Sequence, residues 1–81
     1  MIQKRLKVES SLEARPAALF VQTAGKFKAS IQVRIDNKTV NAKSIMGIIS
    51  LGILDGQELT IIADGSDEEE AVDELYKVLS V

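Results

Sequence analysis

The residues able to carry chemistry fall in three short stretches. In SLEARPAALF, residues 11–20, Glu13 stands ahead of Ala14, Arg15 and Pro16 at the head of an apolar helical pattern. A carboxylate at a helix N-terminus contributes about 0.3–1 kcal/mol through the helix dipole, and Arg15 reads equally well as a solvated first-turn side chain or as a contact residue. In Lys43-Ser44-Ile45-Met46-Gly47 a hydroxyl precedes an apolar run. By spacing alone that is an N-cap worth about 1 kcal/mol. Ile45, Met46 and Ile49 follow at helical spacing. A short helix cannot bury every side of itself, so part of this set is expected at the surface. The third stretch, Asp67 to Glu70, lacks the ligand spacing of a calcium loop and reads as a helix start.

Elimination narrows the chemistry further. The chain has 81 residues with no histidine and no cysteine. Zinc sites of ordinary type, Ser-His and Cys-His pairs, phosphohistidine and disulfides are therefore excluded. No catalytic residue, metal or cofactor is expected. Ten basic and twelve acidic residues give a net charge of −2, with carboxylates gathered near the C-terminal helix. That balance disfavours direct binding to a phosphate backbone and points to a protein partner.

The elements that must position these residues follow from periodicity. Ile2, Leu6 and Val8 alternate with Gln3, Arg5, Lys7 and Glu9, predicting a half-buried strand with Lys4 as its exception. Pro16 suits a first helical turn, and Ala17, Phe20, Val21 and Ala24 form one stripe ending at Gly25, a helix of about ten residues. Ile31, Val33 and Ile35 alternate with Gln32, Arg34 and Asp36, and Asp36-Asn37 returns the chain through Thr39 and Val40 as a hairpin. IMGIISLGIL predicts one short helix followed by a loop. Glu58 to Ala63 reads as a strand. The last helix opens on a capping box, Ser66 to Glu69, buries Ala71, Val72, Leu75, Val78 and Leu79, and carries Lys77 near its end. The order β-α-β-β-α-β-α predicts an α+β fold, an antiparallel sheet covered on one side by helices, in a single domain over residues 1–81. MIQKRLKVES lacks the apolar core of a signal peptide and no run reaches membrane-spanning length, so a cytoplasmic protein is expected.

Two stretches go beyond fold class. EARPAALFVQTA, residues 13–24, and TVNAKSIMGIISLGI, residues 39–53, together resemble HPr, the small phosphocarrier of the bacterial sugar phosphotransferase system, and the element order is similar over essentially the whole chain. The resemblance implies an open-faced sandwich, with a four-stranded sheet in the order 1-4-2-3 and three helices on one face. In that family the residue before Ala-Arg-Pro is the phosphorylated histidine; here it is Glu13. A carboxylate cannot form a phosphoimidazole. It can in principle form an acyl phosphate, so an HPr with an altered active-site residue is the alternative function.

The second family site is intact. In low-GC Gram-positive bacteria the motif K-S-I-M-G carries a regulatory serine, phosphorylated by HPr kinase/phosphorylase, and Ser44 matches it. Loss of the histidine with retention of the serine resembles the catabolite-repression HPr-like branch. That resemblance implies a non-enzymatic regulator whose phosphorylated Ser44 form binds catabolite control protein A, a LacI-type regulator, as its corepressor. Arg15, Lys43 and phosphorylated Ser44 would make the polar contacts, and Ile45, Met46 and Ile49 the apolar patch. Two departures stand out. That branch usually has an uncharged residue where Glu13 stands, so Glu13 either repels an acidic partner or imitates a phosphorylated state, which would make the chain a constitutive binder. The connection from Val8 to Glu13 is also about two residues shorter than in typical HPr and lacks its glycine. A short hinge favours strand exchange, so the chain is expected as a monomer or a strand-swapped homodimer.

Overall fold

The structure is a computed structural model that describes residues 1–7, 14–52 and 57–79, with only the backbone of Ala14, Arg15 and Pro16. The connection ahead of α1, Glu13 and the side chain of Arg15 therefore lie outside the described residues. The elements are β1 (Ile2–Lys7), α1 (Ala14–Gly25), β2 (Ser30–Ile35), β3 (Lys38–Asn41), α2 (Ile45–Leu51), β4 (Glu58–Asp64) and α3 (Glu68–Leu79). All strand pairings are antiparallel and the order is β1-β4-β2-β3. This is the α+β open-faced sandwich expected.

Register explains which residues face the helices. Val33 lies opposite Val40 and Ile61, and Leu6 opposite Leu59. Ile31, Val33, Leu59, Ile61 and Ala63 are buried, while Gln32, Arg34 and Glu58 are exposed. A period of two thus places Ile31, Val33, Leu59, Ile61 and Ala63 under the helix layer, while Ile62 falls on the other face opposite Gln32. From the helices come Phe20, Ile48, Leu75 and Leu79, with Ala17, Ala24 and Ala71 fully buried beside them. Alanines at the contact lines let α1 and α3 approach closely, so a larger side chain there would overpack the core.

Three local features refine the reading of the sequence. Lys4, the exception in β1, stands opposite buried Ile61 and so faces the helix side. Its Nζ lies 4.4 Å from the centroid of the Tyr76 ring, a cation–π contact available because an edge strand leaves the ammonium in reach of water. In the hairpin loop Asp36 takes φ 54°, a region that Asp tolerates better than most residues.

The third feature corrects a predicted cap. α3 begins at Glu68, and the Asp67 carbonyl accepts the Ala71 N–H at 2.9 Å. The reciprocal side-chain bond is made one residue earlier than the Ser66–Glu69 box: the Glu68 carboxylate accepts the Gly65 N–H at 3.1 Å. The Asp67 carboxylate instead leaves the helix and grips the chain entering β2, accepting the N–H groups of Lys28 at 2.8 Å and Ala29 at 2.9 Å. Two backbone donors hold it better than a local cap could. Val78 is half-buried, packed on the core rather than inside it.

Candidate functional site

Ser44 is placed by two tight local turns. The Asn41 carbonyl accepts the Ser44 N–H at 3.1 Å, and Asn41 Oδ1 accepts the Lys43 N–H at 2.8 Å. Ser44 then takes φ −107° and ψ 114°, extended values outside the helix, and its Oγ accepts the Gly47 N–H at 3.2 Å. Its carbonyl accepts the Ile48 N–H at 3.1 Å. Ser44 is the N-cap of α2, as its position before an apolar run predicts. Gly47 matters sterically: a Cβ there would stand 3.4 Å from Ser44 Oγ and 3.4 Å from Val40 Cβ. The hydroxyl is half-buried at the start of a helix whose first N–H groups point past it.

At its other end α2 stops on Gly52, in the left-handed region at φ 66° and ψ 50°, whose N–H bonds to the Ile49 carbonyl at 3.1 Å. Seven residues make two turns, and one buried side chain, Ile48, anchors them. The apolar remainder divides. Ile45 is half-buried and packs on the core, whereas Met46 is 74% exposed and Ile49 46%. Of the three residues expected in an apolar patch, Met46 and Ile49 are on the surface and Ile45 is mainly structural.

Leu19, 53% exposed on α1, adds a third large apolar side chain on the helix that packs against α2. Sequence reading passed over it. The signal was available, because Leu19 falls off the stripe of Ala17, Phe20, Val21 and Ala24 that α1 buries. An apolar residue on the polar side of an amphipathic helix is the kind of exposure that marks a contact surface.

Lys43 is exposed, but its ammonium is engaged: Nζ donates to the Phe27 carbonyl at 2.9 Å. In this state it ties the start of α2 to the loop between α1 and β2. Nearby, the Asp67 carboxyl is held below its ordinary pKa, first by the Lys28 N–H and then by that of Ala29. Glu68 is lowered by the Gly65 N–H and by the Met1 ammonium 3.1 Å away. The first two carboxylates of the cluster, Asp67 and Glu68, are thus occupied in holding backbone, consistent with a helix start. The arrangement around Ser44 offers a hydroxyl at a helix N-terminus, beside exposed apolar side chains, and it can accept or present a charged group there.

Comparison with known proteins agrees with this geometry. The family profile described as "PTS HPr component phosphorylation site" matches residues 2–80. The HPr-like protein Crh of Bacillus subtilis is 49% identical over 77 residues, covering 93% of this chain and 91% of that protein. Among solved structures, the phosphocarrier protein HPr of Bacillus anthracis superposes with a TM-score of 0.93 at 53% identity, covering 98% of this chain and 96% of that one. A crystal structure of Bacillus subtilis Crh, a dimer with a swapping domain, gives a TM-score of 0.79 at 47% identity, covering 98% and 93%. These identities do not separate phosphocarriers from HPr-like relatives, but the residue types do: the chain belongs to the HPr family and, with no histidine anywhere, is a histidine-lacking, HPr-like member of it.

Proposed function

We propose that this protein is a non-enzymatic regulator of carbon catabolite repression, switched by phosphorylation of Ser44 rather than by phosphohistidine transfer. HPr kinase/phosphorylase would be the modifying enzyme, acting in the cytoplasm, and the phosphorylated form would serve as corepressor of a LacI-type catabolite control regulator such as catabolite control protein A. The observation that carries this reading is the pairing of a capping hydroxyl at Ser44 with the exposed Met46 and Ile49 two and five residues on. Attack of Ser44 Oγ on the γ-phosphorus of ATP forms the phosphoester, ADP leaves, and the hydroxyl proton goes to a base of the kinase. The product carries about −1.5 to −2 charge beside the apolar pair. An apolar anchor next to one strong charge fits a partner offering a pocket and a cationic group, and the family resemblance adds Arg15 as a further contact.

Incubation with the kinase and ATP, read by intact mass and by the modified position, tests the reading. One added phosphate is expected in the wild type and none in Ser44→Ala, and only the modified form should bind the regulator tightly. Equal binding by Ser44→Ala would overturn the switch and favour constitutive binding through Glu13. Stable label from phosphoenolpyruvate through Enzyme I would favour a carrier instead.

The same reading includes self-association. β1 here pairs with β4 of its own chain from Ile2 opposite Ala63 to Lys7 opposite Glu58. An exchanged dimer would keep that register with the partner's strand, and the Bacillus subtilis relative is itself a dimer with a swapping domain. Light scattering that finds only an 8.8 kDa species from micromolar to millimolar concentration would exclude the dimer.

A further inference from the structure

At the end of the sheet where α2 begins, one peptide unit is held between opposite charges. The Phe27 carbonyl accepts Lys43 Nζ at 2.9 Å, and the N–H of that same unit, belonging to Lys28, donates to Asp67 Oδ2 at 2.8 Å. Ala29 adds a second N–H to Asp67 Oδ1 at 2.9 Å. Bonds with an ionised partner at each end of one amide polarise it and strengthen one another. The line continues past Asp67, because Glu68 accepts the Gly65 N–H at 3.1 Å and lies 3.1 Å from the Met1 ammonium.

Lys43 immediately precedes Ser44. The backbone there is fixed by Asn41, which accepts the N–H groups of both residues, so the Lys43 side chain is the part able to change partner. A phosphate on the next residue offers it a full negative charge in place of a neutral carbonyl, so an ion pair takes over from an ion–carbonyl bond. The bond to Phe27 is exposed, so exchanging it brings little desolvation.

We propose that Lys43 is a positioning residue that reports the charge on Ser44 to the head of α3: an anion at Ser44 draws its ammonium off the Phe27 carbonyl and loosens the grip of Lys28 and Ala29 on Asp67. The proposal rests on Ser44 being the modified residue, yet the connection through Phe27 can be tested without the kinase. Lys43 then acts inside the molecule, and its effect on a partner is indirect.

The test uses the full chain, labelled with nitrogen-15, as wild type, Ser44→Asp, Lys43→Met and the double variant. The readouts are amide shifts and hydrogen exchange at Lys28 and Ala29, with Ile31 and Val33 as controls for global opening. Ser44→Asp is expected to move both shifts and speed their exchange about fivefold, equivalent to about 1 kcal/mol, with the controls unchanged. Lys43→Met should do the same, and the double variant should go no further. Unmoved amides in Ser44→Asp would overturn the proposal. So would a full Ser44→Asp effect added on top of Lys43→Met, which would mean that the charge acts without Lys43. Failure of the kinase to modify Ser44 would defeat the functional reading alone, leaving the Ser44→Asp result to judge the connection.

Discussion

Replacing Gly65 by alanine tests how closely the head of α3 is docked on the strand entrance that the Asp67 carboxylate grips. A Cβ on residue 65 would lie 2.6 Å from Ala29 Cα, 2.9 Å from Ala29 Cβ and 3.2 Å from Ala29 N. Carbon atoms pack at about 3.5–4.0 Å, so the contact is short by roughly 1 Å. No rotamer change relieves it, because the atoms met are backbone and Cβ, and Ala29 is itself fully buried. The connection between β4 and α3 must therefore move by about that distance, enough to stretch the bonds from Lys28 and Ala29 to Asp67 past hydrogen-bonding range. Overpacking of this kind costs about 1–3 kcal/mol, and the rigid surroundings place Gly65→Ala at the upper end. For a domain of this size the melting temperature should then fall by roughly 12–24 °C. Gly25→Ala is the control, since nothing lies within 4 Å of a Cβ there. It should be neutral or stabilising by up to about 1 kcal/mol. Thermal and urea unfolding followed by circular dichroism decide the matter. A Gly65→Ala melting temperature within about 3 °C of wild type, or amide shifts unchanged at Lys28 and Ala29, would refute the reasoning.

Ser44→Ala should lose about 1 kcal/mol in urea titration by removing the acceptor for the Gly47 N–H, and Ser44→Asp should recover most of it, since both side chains cap well. Met46→Ser and Ile49→Ser should each change stability by no more than about 0.5 kcal/mol, while Ile48→Ala, from the same helix, should cost about 2–5 kcal/mol. Under the proposed function, binding of the Ser44-phosphorylated protein to a LacI-type regulator should show the reverse ranking, with losses of tenfold or more at Met46 and Ile49. On the pH axis, Asp67 and Glu68 have folded pKa values below their unfolded ones, so their stabilisation is complete above the unfolded values and drains as pH falls through the folded ones. Melting temperature should fall from about pH 4 downward, and Asp67→Asn should flatten that fall while lowering stability at neutral pH.

The parts of this molecule that were legible in the sequence are those where one physical constraint dominates. A sheet with one wet face must alternate, so Ile31, Val33 and Ile35 declared both their strand and the side they bury. Phe20 with Ala17 and Ala24 did the same for α1 at helical period. Ser44 declared its cap because a hydroxyl before an apolar run has few better uses. Reading failed where two satisfactory local solutions compete. Ser66 and Glu69 make a sound capping box on paper, but Asp67 has a stronger alternative thirty-eight residues away in sequence at Ala29, and that contact set the helix start. Lys43 enters the site through its place in the family motif, and no local pattern in the sequence gives it a partner within the chain. Its bond to the Phe27 carbonyl depends on the α1–β2 loop returning to the same end of the sheet, which no local pattern encodes.

The division within α2 shows why function was harder to read than fold. Ile45, Met46, Ile48 and Ile49 are all apolar, and hydropathy alone treats them as equivalent. Geometry separates them: a helix of two turns lying on a sheet has room to bury one side chain fully, and that place goes to Ile48. Every further apolar residue must then be partly or wholly wet, which is unfavourable for the isolated fold unless another molecule covers it. The same two turns could have carried polar residues at 46 and 49 with no loss of packing. The exposed pair is therefore the feature that folding does not require, and it stands next to Ser44, whose hydroxyl caps α2 with a glycine, Gly47, leaving space above it. That juxtaposition, rather than any single residue, is what directs the functional reading to Ser44.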